Sequence, residues 1–303
     1  MITHTTHLLR PIPPFDFAQT LGFLSGFTPT SGEQQVDARS LTKAVRIHGQ
    51  TVGFDLRSVG TLEAPELRCT LFADRPLTPG VEEAVLERVR FFLSLDEDLG
   101  PFYALAQQDA PFQKVLRPLY GYHQVKFLTP FENVCWAVLT QRTPGDGARV
   151  MKRRLVETYG GSVQDRDSVL WAFPEPADLA GASAAELGAL LKHPRKGEYL
   201  AAVVQAFGEV KEDWLRQGPL NEVRAWLRGI HGIGEWSATF VLLRGLGRME
   251  GAVLDAPDSL FTQEIMKAAT HVYGPLNFEA LSAHARHYGA WQGYWAHYLR
   301  AAA

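Results

Sequence analysis

The stretch LRGIHGIGEWSATFVLLRGLG, residues 227–247, sets five glycines into a run whose flanks suit helices. Upstream, Asn221 to Arg228 has the spacing of a short amphipathic helix, with Asn221 as its expected cap. Downstream, Glu235 to Leu246 carries Trp236, Phe240 and Leu243 on related faces. Gly229, Ile230, His231, Gly232, Ile233 and Gly234 lie between. Glycines so closely spaced permit positive φ and let backbone approach another molecule. The amides of Gly232 and Gly234 fall at the start of the second helix, where unpaired N–H groups and the helix dipole favour an anion. Two readings stay open, a tight αα-corner and a phosphate grip. A dinucleotide-binding turn is excluded, because no strand precedes the run and G-x-G-x-x-G is absent.

Around this run, the 303-residue chain changes character once. Phe15 to Phe27 reads as a helix, whereas Ala44 to Val59 and Leu67 to Phe72 alternate as half-buried antiparallel strands do. From Pro79 to Leu95 the apolar spacing turns helical and stays so. Ser183 with Glu186 forms a capping-box signature. The expected organisation is an α+β domain with a small antiparallel sheet over 1–95, followed by an all-α region over 96–303. That second region comprises two helical subdomains with a cleft between them and the hairpin at 229–234.

Composition narrows the function. Hydrophobic residues make up 46%, and no run approaches the roughly eighteen apolar residues of a membrane helix. The N-terminal MITHTTHLLRPIPP lacks the pattern of a signal peptide, so a soluble, cytoplasmic protein without membrane contact is expected. Cys69 and Cys135 are the only cysteines, which excludes a disulfide framework and a thiolate metal or iron–sulfur site. A net charge of −3 means that any basic surface is local. Candidate patches are Arg149, Lys152, Arg153 and Arg154, and then Lys192, His193, Arg195 and Lys196.

The string G-I-x-G-I-G-x-W-[ST]-A resembles the helix–hairpin–helix of the HhH-GPD superfamily of DNA glycosylases, most closely its 3-methyladenine DNA glycosylase II (AlkA-type) branch. Phe131 to Gln141 looks like the family's F-E-x-x-x-x-A-I-L-x-Q helix, and Phe173 to Ala180 like its FP-x-P-x-x-L-A segment. Trp291 to Trp295 resembles its W-R-S-Y-A run. The resemblance covers roughly residues 95–300, and the α+β region is what the branch adds in front. It implies a base-excision enzyme that flips an alkylated purine (3-methyladenine, 7-methylguanine or a related lesion) out of double-stranded DNA. Water then hydrolyses the N-glycosidic bond. Trp236 stands where bifunctional members carry a Schiff-base lysine, which implies a monofunctional enzyme. Arg300 stands where the branch has a pocket tryptophan.

Specific roles follow from the resemblance. The catalytic carboxylate is Asp255 or Asp258; the alternative for each is a helix-start role, as N-cap and N3 acid respectively. Trp236 and Phe240 would line the base pocket, with Tyr294, Trp295 and Tyr298 as replacements for the missing tryptophan. Gly229, His231, Gly232, Ile233 and Gly234 would grip a phosphate. Gln141, Arg142 and Thr143 would meet the duplex, Arg142 filling the gap left by the flipped base. No organic cofactor is implied. A monovalent cation, Na+ or K+, would sit on the carbonyls of Arg228, Ile230 and Ile233. A monomer is expected. Two other functions fit the same residues, namely excision of deaminated or oxidised bases and non-catalytic recognition of DNA shape.

Overall fold

Strands form where branched and aromatic residues alternate, and here they are covered on two sides. The structure is a computed structural model; it describes residues 3–30, 32–165, 168–252, 254 and 257–303. Strands β1 (Thr3–Leu9), β2 (Gln34–Val36), β3 (Ser40–Ile47), β4 (Gln50–Ser58) and β5 (Leu67–Ala73) make one antiparallel sheet in the order β1-β5-β4-β3-β2. Helices α1 (Phe17–Gly26) and α2 (Pro79–Phe92) cover one face. In α2, Thr78 caps the first turn, Pro79 opens it, and Val81, Val85, Val89 and Phe92 form the apolar stripe.

The second region is not wholly helical. Strands β6 (Gly161–Asp165) and β7 (Ser168–Ala172) form an antiparallel hairpin, and Val163, Leu170 and Ala172 bury themselves against Ala44 and Phe72 of the sheet. This corrects the all-α expectation for 96–303. It also explains why β3 is buried almost throughout rather than half-buried.

Two helical cores complete the protein. The first is built from α5 (Pro130–Thr140), α6 (Gly145–Tyr159), α7 (Pro176–Leu179), α8 (Ala184–Leu191), α9 (Pro194–Glu209), α10 (Glu212–Gln217), α11 (Leu220–Gly229) and α12 (Glu235–Phe240). The second joins α3 (Gly100–Ala106) and α4 (Gln113–Leu116) to α13 (Leu260–Tyr273), α14 (Phe278–Tyr288) and α15 (Gln292–Ala301), so the chain enters it, leaves and returns. Helix α12 runs directly into a π-helical turn over Val241–Gly245. The capping box at Ser183 and Glu186 is present at the start of α8. Asn221 is not a cap, because α11 already begins at Leu220, behind Pro219.

Helix α5 is buried from Pro130 to Leu139, including the carboxylate of Glu132. Lys152 of α6 lies 2.7 Å from Glu132 and 2.6 Å from Glu33, and donates to the carbonyl of Pro29 at 2.8 Å. A buried lysine in this arrangement ties α1 and the segment after it to the helical core. Among the described residues no helix is long and apolar enough to cross a membrane.

Candidate active site and nucleic-acid interface

The site begins with the end of α5. After Thr140 the chain turns sharply, and Arg142 adopts a positive φ of 51° with its side chain exposed. Such a conformation is costly for a non-glycine residue and needs support from its surroundings. The support is visible. Gln141 donates to the carbonyl of Gly232 at 2.7 Å, linking this turn to the hairpin. Lys196, only 2% exposed, donates to the Leu139 carbonyl and to Thr143 Oγ1, the latter at 2.6 Å. Burial lowers the Lys196 ammonium to about 8.

Gly232 needs its glycine for two reasons, a φ of 91° and the ring of Tyr199, which a Cβ would meet at 2.3 Å. Gly234 caps α12 in an extended conformation and has open space where a Cβ would lie. Of the hairpin glycines, Gly229 and Gly234 therefore leave room for another molecule, whereas Gly232 does not. His231 is exposed, its ring edge-on to Tyr199 at 5.0 Å. Ile230 and Ile233 are buried, and the Ile230 carbonyl accepts the Ile233 N–H at 3.0 Å. Glu235, at the helix start, is neutralised by Arg224 at 2.7 Å and Arg228 at 3.0 Å.

These parts surround an open groove of about 750 Å³, whose walls include Arg142, His193, Arg195, Gly234 and Trp236. Of the basic patches read from the sequence, His193, Arg195 and Lys196 line the groove, and of these His193 and Arg195 are exposed. Lys152 and Lys196 do not form phosphate tracks, since both are buried in structural contacts.

Trp236 also borders a second, more apolar cavity of about 390 Å³. The Trp236 and Phe240 rings stack there with centroids 5.1 Å apart and planes within 9°. Phe23 of α1 and Phe27, the residue that ends that helix, also line the cavity, so the N-terminal region contributes directly to its wall. Arg244 from the π turn sits over those rings, 4.9 Å and 5.2 Å from their centroids. Arg300 lines the mouth and pairs with Glu264 at 3.3 Å. His297 and Tyr122 stack at 5.1 Å.

Tyr294, Trp295 and Tyr298 stand apart from this lining, as a correction to the sequence expectation. Tyr294 and Trp295 are each 1% exposed and belong to the second helical core. Tyr294 donates to Glu97, Trp295 Nε1 to Tyr273 at 2.9 Å, and the Tyr298 hydroxyl to the Tyr122 carbonyl at 3.0 Å. Helix α15 meets the cavity on another face, through Gly293, Ala296, His297 and Arg300. Phe23, Phe27, Tyr122, Gln124, Arg244 and His297 were not singled out from the sequence. The i, i+4 aromatic pair Phe23 and Phe27, at the end of α1, is the one signal that could have flagged this contribution.

No family model matches the chain. A Bacillus subtilis protein named DNA-3-methyladenine glycosylase is 29% identical over 174 residues, covering 57% of each chain. A Mycobacterium tuberculosis protein, "Probable bifunctional transcriptional activator/DNA repair enzyme AlkA", is 26% identical over 301 residues, 96% of this chain but 55% of its own length. The chain thus spans little more than half of these two relatives. A solved 3-methyladenine DNA glycosylase from Archaeoglobus fulgidus superposes with a TM-score of 0.75 at 18% identity, covering 97% of both chains. The chain shares the fold of that solved glycosylase.

In the sequence the two candidate carboxylates, Asp255 and Asp258, precede α13. Asp255 lies outside the described residues. Asp258 is exposed and immediately precedes Ser259, whose Oγ accepts the Thr262 N–H at 3.2 Å and caps the helix. Asp258 is therefore not the N3 acid of α13, so that alternative role is removed. Leu260, two residues on, borders the groove beside Trp236. Cys69 and Cys135 are buried, and burial raises both thiols, that of Cys69 to about 12.

Proposed function

We propose that this chain is a monofunctional base-excision DNA glycosylase acting on alkylated purines in double-stranded DNA. The observation that carries the reading is the stacked Trp236–Phe240 pair, because Trp236 is shared between the open groove and the neighbouring cavity. A duplex lying along the groove would meet the exposed backbone at Gly234 and the exposed Arg195 and Arg142. A base turned out of the stack would pass Trp236 into the cavity, where rings on both walls offer stacking. Arg142, held by Gln141 and Lys196 behind it, would occupy the vacated place in the duplex. A monovalent cation on the carbonyls of Arg228, Ile230 and Ile233 would reinforce the phosphate grip, and the protein would work as a monomer.

Hydrolysis needs a carboxylate that steadies positive charge developing on the sugar and directs water to C1′. Asp255 or Asp258 would supply it, and Trp236 offers no amine for a covalent sugar intermediate. The names of the curated relatives support this chemistry. The test compares Asp255→Asn and Asp258→Asn for release of free methylpurine and for binding to an uncleavable abasic analogue. One variant should lose release while keeping affinity. Wild-type rates in both variants would contradict the proposal, and a wild type that binds but releases nothing would favour a recognition protein.

A further inference from the structure

The cavity is more apolar than the groove, yet its lining includes buried polar atoms that no other protein group satisfies among the described residues. Tyr122 Oη, Gln124 Oε1, Arg244 Nη2 and His297 Nε2 are buried without a hydrogen-bond partner among the described residues, and all four residues line the cavity. Tyr122 and Gln124 are 3% and 2% exposed, respectively. Leaving such groups unmet costs free energy, so four of them on one cavity imply a polar occupant. Their chemistry is unequal. Arg244 keeps its charge at neutral pH even though burial lowers it to about 10, while burial and the nearby Arg244 and Arg300 hold His297 neutral. Glu264 is matched by Arg300 at the mouth, which leaves the Arg244 guanidinium as the unbalanced charge among these groups.

Building on the glycosylase reading above, we propose that Arg244, with Tyr122, Gln124 and His297, selects among alkylated bases by charge. The cavity would give its larger rate enhancement to neutral adducts with an acceptor-rich edge, of the ethenoadenine type, rather than to ring-methylated cations. A cationic methylpurine is repelled by a buried guanidinium and leaves as a neutral base without help. A neutral adduct is the harder case. When its C1′–N9 bond breaks, the electron pair stays on the base, water supplies the oxygen to C1′ and loses a proton, and the base takes up a proton. A guanidinium N–H aimed at the base edge strengthens as that negative charge develops, so it acts on the transition state more than on the bound substrate.

The experiment measures single-turnover release of ethenoadenine and of 7-methylguanine from otherwise identical duplexes, each divided by its spontaneous loss. The wild type should show the larger enhancement for ethenoadenine. Arg244→Met should lower the ratio of the two enhancements by roughly 10- to 100-fold, and His297→Gln should lower it less. An enhancement for 7-methylguanine equal to or above that for ethenoadenine in the wild type overturns the proposal, whether or not Arg244→Met folds. Equal losses for both bases in a folded Arg244→Met protein also overturn it, by making Arg244 a structural residue. Release of neither base removes the glycosylase reading itself, a result distinct from a wrong preference.

Discussion

The groove and the cavity share one tryptophan and are built in opposite ways. The groove gathers short local pieces: the turn after α5, the start of α9 and the hairpin. It is open, and exposed Arg142 and Arg195 concentrate positive charge in a chain of net charge −3. The cavity draws on α1, the irregular segment at Tyr122 and Gln124, α12 with its π turn, α13 and α15, so elements of all three cores must close before it exists. Affinity can therefore sit on local backbone and surface charge, whereas selection and chemistry depend on long-range assembly. Substitutions in the two places should fail differently.

The largest effect should come from the tie between the N-terminal segment and the helical core. Lys152→Met removes the ammonium hydrogen-bonded to Glu132 and Glu33, leaving Lys43, 4.0 Å from Glu33, as the buried cation beside them, and should cost about 3–5 kcal/mol of stability, read by denaturant unfolding. A loss under 1 kcal/mol would mean that α1 is held to the cavity by apolar packing alone. Next, Phe240→Ala should slow base release by roughly 100-fold while affinity for an abasic analogue changes little. Equal losses in rate and affinity would break the division between cavity and groove.

The two glycines sharpen the same division. Gly232→Ala should destabilise the fold by about 1–3 kcal/mol, through its positive φ and the Tyr199 ring. Gly234→Ala should leave the melting temperature unchanged and weaken DNA binding by roughly tenfold; unaltered binding would remove Gly234 from the interface. The smallest effect concerns Lys196. Its folded pKa of about 8 lies below the ordinary 10.5, so between those values the unfolded chain binds more protons and stability rises with pH. The slope should reach at most about 1.4 kcal/mol per pH unit, and Lys196→Met should flatten it. A slope unchanged in that variant would assign the titration elsewhere.

What the sequence made legible follows the same contrast. The hairpin could be read because its glycines and flanking helices lie within 21 contiguous residues, and Trp236 and Phe240 follow on the same helix. Even there, the reason for Gly232 was hidden, since Tyr199 approaches from a distant helix. The β6–β7 hairpin escaped notice because its five-residue strands gain their stability from Ala44 and Phe72 of another sheet. The aromatic run at Tyr294 and Trp295 looked like a pocket wall, but α15 turns those rings into its own core and gives His297 and Arg300 to the cavity. Lys152 and Lys196 looked like surface charge because sequence spacing does not reveal buried partners such as Glu132 and the Leu139 carbonyl.

The most direct test of the account is release of free base from methylated duplex DNA by the wild-type chain, with the product strand examined before and after alkali. The account predicts that alkylated purine is released and that strands break only after alkali. Tight binding with no free base, or strands cut without alkali, would contradict it.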